Sequence, residues 1–358
     1  MHGKSEIGMS YRAVLCALAS AALFGISTPA AKLLLGSIDP TVLAGLLYCG
    51  SGFGMALVRS LASSILVSRA EQGSLTRTDL PWLSGAIFAG GIVGPLLLLF
   101  GLTQTDAASA SLLLTLESVV TALMAWFLFG ENLDRRIVLG MCCLVAGAAI
   151  LAWSAKPTLT GVVGPVAIVA ACVAWGLDNN LTRKVCLSDP LQIVQLKGVV
   201  AGPVTLALGL SAGGALPPIP AAALAAIVGF FGYGVSLTLF VVALRDLGTA
   251  RTAAYFSTAP FFGVSVAVLM LHEPITLQLA SAGILMGFGV WLHMTERHRH
   301  LHTHDAIIHT HAHLHEEHHQ HVHGPADPPG EPHTHSHRHE KIEHTHTHVP
   351  DTHHRHRH

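Results

Sequence analysis

Apolar residues dominate this chain in runs of about 20, separated by short polar stretches, from the N-terminus to residue 293. A run of that length, rising 1.5 Å per residue, spans the roughly 30 Å hydrocarbon layer of a bilayer. The pattern predicts ten helical spans near 13–35, 40–60, 82–102, 107–129, 135–154, 161–181, 190–210, 219–243, 249–271 and 275–293. The apolar run that opens the chain continues past Ala19-Ser20-Ala21 to Leu35, so it reads as an uncleaved first span rather than a secretory leader.

The spans repeat. Residues 101–131 align without a gap on residues 243–273: Gly101-Leu102 falls on Ala243-Leu244, Leu116-Glu117-Ser118 on Thr258-Ala259-Pro260, and Gly130-Glu131 on His272-Glu273. The openings correspond as well, Phe24-Gly25 before Asp39-Pro40 matching Trp175-Gly176 before Asp189-Pro190. Five spans per copy is an odd number, so the copies lie in opposite senses across the membrane, and inverted repeats place a binding site between them near the midplane. The expected architecture is an all-α membrane protein of ten transmembrane helices in two inverted five-helix repeats, residues 11–154 and 161–293, followed by a disordered tail over residues 294–358.

Composition sharpens this division. Residues 1–293 contain only 26 Asp, Glu, Lys and Arg, too few for the surface of a soluble protein of that size, whereas 23 of the 26 histidines follow His293. A polar stretch rich in histidine, glycine and proline cannot bury enough surface to offset chain entropy. Lys and Arg concentrate in alternate loops, which places both termini and the tail in the cytoplasm. The six cysteines lie in or beside apolar runs without a C-x-x-C pair and read as small apolar filler. Gly85, Gly90, Gly91 and Gly94 in the third span, and Gly229, Gly232 and Gly234 in the eighth, permit close helix packing.

Few residues inside the spans carry chemistry. Glu117 sits about ten residues from either end of the fourth span, and a carboxylate at that depth belongs in the bundle interior or a wet cavity. It is suited to exchanging a proton during transport, to binding a substrate amino group, or to holding helices together as a buried acid. Asp178 and Lys197, on either side of the Asp189-Pro190 turn, fall at similar depth and can neutralise one another; alternatively Lys197 faces the cavity and binds a carboxylate. Asn179 and Asn180 extend the polar patch of the sixth span, and Ser27, Thr28 and Pro29 are its counterpart in the first. There the proline cannot bond the carbonyl of Gly25, which suggests an interrupted helix lining a pathway, a simple kink or a helix end nearing the headgroups. Glu131 and Glu273 end the fourth and ninth spans and read as structural caps for the helices that follow, with Pro260 a structural element of the second repeat.

The tail alternates histidine with other residues, as in His302 and His304, His333, His335 and His337, and His344, His346 and His348. Imidazole suits nickel, cobalt, zinc and copper, so a divalent transition metal is an expected partner of the tail, with a solubilising segment as the plainer reading. No Walker sequence or phosphate-cradling glycine loop occurs, which leaves neither an ATP-driven pump nor an enzyme as the expectation; no required cofactor and no nucleic-acid partner is expected.

The block LLLTLESVVTALMAWFLFGENL, its mate YFSTAPFFGVSVAVLMLHEPI and the opening FGISTPAAK resemble the drug/metabolite transporter superfamily, in its EamA type with two five-helix repeats, over about residues 11–293. The fourth span of that family usually reads Leu-Glu-Pro; here Leu116 and Glu117 are followed by Ser118, while the second copy has Ala259 and Pro260. The resemblance implies secondary transport, mostly outward, of a small organic metabolite such as an amino acid, in the bacterial cytoplasmic membrane. The alternatives are a transition-metal permease and a membrane anchor for the metal-binding tail.

Overall fold

The computed structural model describes residues 3–65, 75–129, 135–152, 159–186, 188–247, 249–295, 299–304, 308–313, 333–338 and 342–347. They form two units, Met1–Glu296 and Arg297–His358. The first unit contains ten helices long and apolar enough to cross a membrane: Tyr11–Leu34, Pro40–Leu61, Leu80–Gln104, Ala107–Phe127, Arg135–Ala152, Val162–Arg183, Pro190–Ser211, Ile219–Arg245, Thr252–Met270 and Leu277–Met294. No bound departs from the hydropathy prediction by more than three residues. Hydrocarbon offers the backbone no hydrogen-bond partner, so an apolar run of this length satisfies its amides internally as a helix.

Helix starts are set by short polar signals. Asp39 and Asp189 occupy corresponding places in the two repeats, each followed by proline. The Asp39 carboxylate accepts from the amides of Thr41 and Val42, and Asp189 from that of Leu191. An acceptor at the N-cap followed by proline satisfies orphan amides and presets the first helical φ. Lys32 works at the other end of a helix: its ammonium donates to the carbonyl of Thr105 at 2.8 Å and to that of Leu102, at the C-terminus of the third span.

Packing follows an exchange rule. The first span packs on the eighth and ninth, the sixth on the third and fourth, the second against the seventh, and the fifth against the tenth. Interchanging each span with its repeat mate leaves this list unchanged, the signature of a pseudo-two-fold relation between inverted halves. The second and seventh spans cross most closely, where a Cβ on Gly52 would lie 2.8 Å from the Gly198 Cα. Large apolar side chains such as Phe88, Phe127, Leu269 and Ile284 are exposed on the outside, facing lipid, while Ser20, Ser51, Thr121 and Thr205 are buried inside.

The third and eighth spans each contain a π-helical stretch, Ile87–Val93 and Phe230–Val235. These lie at corresponding positions of the repeats, a symmetric departure from α geometry of the sort common at functional sites.

The histidine-rich unit, expected as disordered, is described only as four six-residue strands. Arg299–His304 pairs antiparallel with Ile342–Thr347, and Ile308–His313 with His333–Arg338. Alternation of histidine with threonine or alanine is the period-2 pattern of a strand, and two-stranded ladders of this size are marginal in water.

Candidate functional site

Breaks in two helices create the site. The fourth span consists of Ala107–Leu113 and Leu116–Phe129, and the ninth of Thr249–Phe256 and Ala259–Met270. At both breaks the backbone tightens to bonds three residues apart, including Thr115 to Leu112, Glu117 to Leu114 and Thr258 to Tyr255. The freed carbonyls are taken by hydroxyls: Thr115 donates to Leu112, Ser118 to Thr115, Ser257 to Ala254 and Thr258 to Tyr255. Pro260 begins the second half of the ninth span but has no counterpart in the fourth, which breaks equally well at Thr115. Serine and threonine hydroxyls close both breaks, and the fourth forms without a proline.

Glu117 therefore stands in the first turn of a 14-residue half-helix, where the N-terminal dipole favours an anion. It is buried, and its Oε1 accepts from Asn179 Nδ2 at 2.8 Å. Asn179 also reaches Thr121 Oγ1 at 3.3 Å. Beside them lies a narrow cavity of about 20 Å³ lined by both repeats, with Phe24, Thr28, Glu117, Thr121, Asn179 and Phe256 on its border. A second space of about 20 Å³, bordered by Tyr48, Trp175, Asp178 and Tyr233, shares Phe24, Glu117 and Asn179 with it.

The aromatic side chains form one connected wall. Phe24 lies 5.3 Å from Phe256, 5.7 Å from Trp175 and 5.8 Å from Tyr233 between ring centroids, Tyr233 lies 5.3 Å from Tyr48, and Phe240 lies 4.9 Å from Phe256. The π-helical stretch of the third span fixes part of this wall: Tyr48 and Trp175 both donate to the carbonyl of Gly90, at 2.7 and 3.0 Å.

Asp178 and Lys197 neutralise one another. The ammonium reaches Asp178 Oδ1 at 2.5 Å and Thr182 Oγ1 at 2.8 Å, and both charged side chains are buried. Thr182 also donates to Asp178 Oδ1 at 2.9 Å, which closes a three-membered polar cluster. The alternative in which Lys197 offers its charge to the cavity does not fit this arrangement.

The other expected site residues separate. Asn180 turns to the helix interface, donating to the carbonyls of Gly176 and Thr121. Ser27 bonds the carbonyl of Phe24, while Thr28 borders the cavity. The first helix is continuous from Gly3 to Leu34 with Pro29 inside it, so of the readings at that proline the interruption fails, and the breaks lie in the fourth and ninth spans. Glu273 caps a helix, though not the one that follows it. Its two oxygens accept from the amides of Ala107 and Ala108 at 2.8 and 2.7 Å, at the start of the fourth span, while Thr276 caps the tenth. Glu131 and His348 lie outside the described residues. His302, His304, His333, His335, His337, His344 and His346 fall in the tail strands, where cross-strand positions pair His302 with His344 and His335 with His311.

Sequence reading missed the aromatic wall and the π-helical stretches. One signal was available: Tyr48 and Tyr233, two of only four tyrosines, stand in mid-span.

The family described as the EamA-like transporter family matches residues 11–153 and again 162–295. The chain is 29% identical over 283 residues to an uncharacterised transporter of Methanothermobacter thermautotrophicus, covering 75% of this chain and 82% of that protein. Over 86 residues it is 38% identical to a probable 4-amino-4-deoxy-L-arabinose-phosphoundecaprenol flippase subunit, ArnE, of Pseudomonas aeruginosa, which amounts to 24% of this chain and 74% of that one. A solved crystal structure superposes with a TM-score of 0.59 at 18% identity, over 78% of this chain and 94% of the other, and shares the fold.

Proposed function

The chain belongs to the EamA-like transporter family, and from that premise we propose that it is a secondary transporter that exports a small organic metabolite, an amino acid or related compound, across a bacterial cytoplasmic membrane by alternating access. The observation that carries the reading is the position of Glu117: a carboxylate at a helix break, beside an interior cavity to which both repeats contribute. Broken half-helices near the midplane present dipole ends and uncommitted backbone to a solute, and two inverted halves rock around such a site to expose it to either side. Glu117 exchanges a proton in this scheme, and the neutral Asp178–Lys197 cluster holds the seventh span against the sixth. The loop charges support a cytoplasmic position for both termini.

The tail is read as an accessory that collects a divalent transition metal, nickel, cobalt, zinc or copper, on the cytoplasmic side. Histidine opposite histidine at alternate register positions supports this reading.

A paired profile of secreted metabolites and cell metal content tests the scheme, in cells making the full chain, a form ending at His293, or no protein. Organic solutes accumulating outside with both forms are expected. A change in metal content alone overturns metabolite export, in favour of a metal permease when both forms produce it and of a non-transporting anchor for the tail when only the full chain does.

A further inference from the structure

We propose that a divalent transition metal held between opposed histidines folds the tail, so that its two ladders form on metal binding and each cross-strand histidine pair belongs to a site. The inference rests on the reading of the tail as a metal collector, and adds where the metal sits and what it does to the chain. Register is the first observation. His300 lies opposite His346 and His302 opposite His344 in one ladder, and in the other His309 lies opposite His337, His311 opposite His335 and His313 opposite His333. No two adjacent positions of the four strands are both histidine, so a slip of one residue would abolish every one of these pairs. The two ladders also share their register, since equal lengths of chain, 305–307 and 339–341, link them.

The second observation is that nothing else in the ladders selects this register. The other pairings set Leu301 against Thr345, Thr303 against Glu343, Thr310 against Ser336 and Ala312 against Thr334, and those at the strand ends set Arg299 against Thr347, His304 against Ile342 and Ile308 against Arg338. None joins two large apolar residues or two opposite charges, the pairs that ordinarily fix and stabilise a sheet. Directly opposed imidazoles repel when both are protonated, and a two-stranded ladder is marginal in water even with favourable pairs. The ladders therefore lack a source of stability of their own at the positions where histidine meets histidine.

A metal supplies what is missing. Directly opposed residues of an antiparallel pair have Cα atoms about 4.5–5.5 Å apart, and alternate residues of one strand share a face about 6.8 Å apart. Zinc binds an imidazole nitrogen at about 2.0–2.1 Å and takes four ligands, so two opposed histidines can converge on one ion and a neighbouring pair can complete its shell. Neutral imidazole suits zinc, nickel, cobalt and copper. Because the ligands of one ion come from opposite arms of the chain, the free energy of binding offsets the entropy of bringing those arms together, and binding becomes folding.

Two measurements on the full chain in lipid nanodiscs test the proposal, with zinc as the probe. Amide hydrogen exchange over residues 299–304, 308–313, 333–338 and 342–347 is expected to slow by about tenfold or more in saturating zinc and to recover its speed in EDTA. Equilibrium dialysis then compares variants. His311→Asn and His335→Asn are each expected to lower bound zinc, and the two together to lower it no further than either alone, because they occupy one site. His311→Asn with His344→Asn, drawn from different ladders, is expected to lose the sum of the two single losses. Zinc bound without slowed exchange, slowed exchange that persists in EDTA, or equal losses from the two double variants would overturn the metal-folded ladders while leaving the tail a metal collector. No more zinc on the full chain than on a form ending at His293 would overturn the collector reading itself, and the inference with it.

Discussion

Lys197 and Asp178 illustrate how a charge survives inside this bundle. Each is buried, and each is tolerated because the other and Thr182 complete its hydrogen bonds. Removing one partner leaves an uncompensated charge, whereas removing both leaves none. Lys197→Met is expected to destabilise the protein by about 3–5 kcal/mol, and the double substitution Asp178→Asn with Lys197→Met to recover most of that loss, read from thermal unfolding in detergent. Glu273 acts differently, offering two oxygens to the free amides of Ala107 and Ala108. Glu273→Gln should weaken this cap by about 1 kcal/mol and speed hydrogen exchange at those two amides, with no change at the Leu279 amide held by Thr276.

At the scale of elements, local departures from α geometry place the chemistry. Each break in the fourth and ninth spans frees carbonyls and is closed by hydroxyls three residues on, so Thr115 and Ser257 matter to the backbone more than to any solute. The π-helical stretch around Gly90 turns one carbonyl toward both Tyr48 and Trp175 and brings the helix against Asp178. A Cβ at Gly90 would collide with the Asp178 carboxylate, whereas one at Gly283 would meet only Leu112 at 3.7 Å. Gly90→Ala is therefore expected to reduce the yield of folded protein and its melting temperature, and Gly283→Ala to leave both near wild type, as checked by size-exclusion profile and thermal unfolding.

For the whole molecule, the exchange of packing partners between repeats ties the two halves of the first unit together. Helices of the first unit pack on one another across the two repeats. A form ending at His293 keeps the ten spans to within one residue and should fold with its melting temperature within about 2 °C of the full chain. On the proposed role of the tail, the full chain is expected to bind zinc or nickel in equilibrium dialysis and the shortened form to bind neither. That binding should weaken on acidification, because a protonated imidazole has no lone pair to offer a metal.

The amino-acid sequence by itself determined the ten spans, the repeat and its inversion, because hydrocarbon leaves an apolar run of 20 residues no alternative to a helix and an odd span count reverses the second copy. It also placed Glu117 at depth and matched Asp178 to Lys197, since charge in lipid must be paired or functional. Only the tertiary structure decided that the first helix runs unbroken through Pro29 while the fourth and ninth break, that Glu273 caps a helix 166 residues away in sequence, and that aromatic rings from five spans meet Glu117 across one cavity. These depend on which carbonyl finds a hydroxyl and which side chains converge from distant parts of the chain. Hydropathy and spacing report the environment of a residue, not its partner.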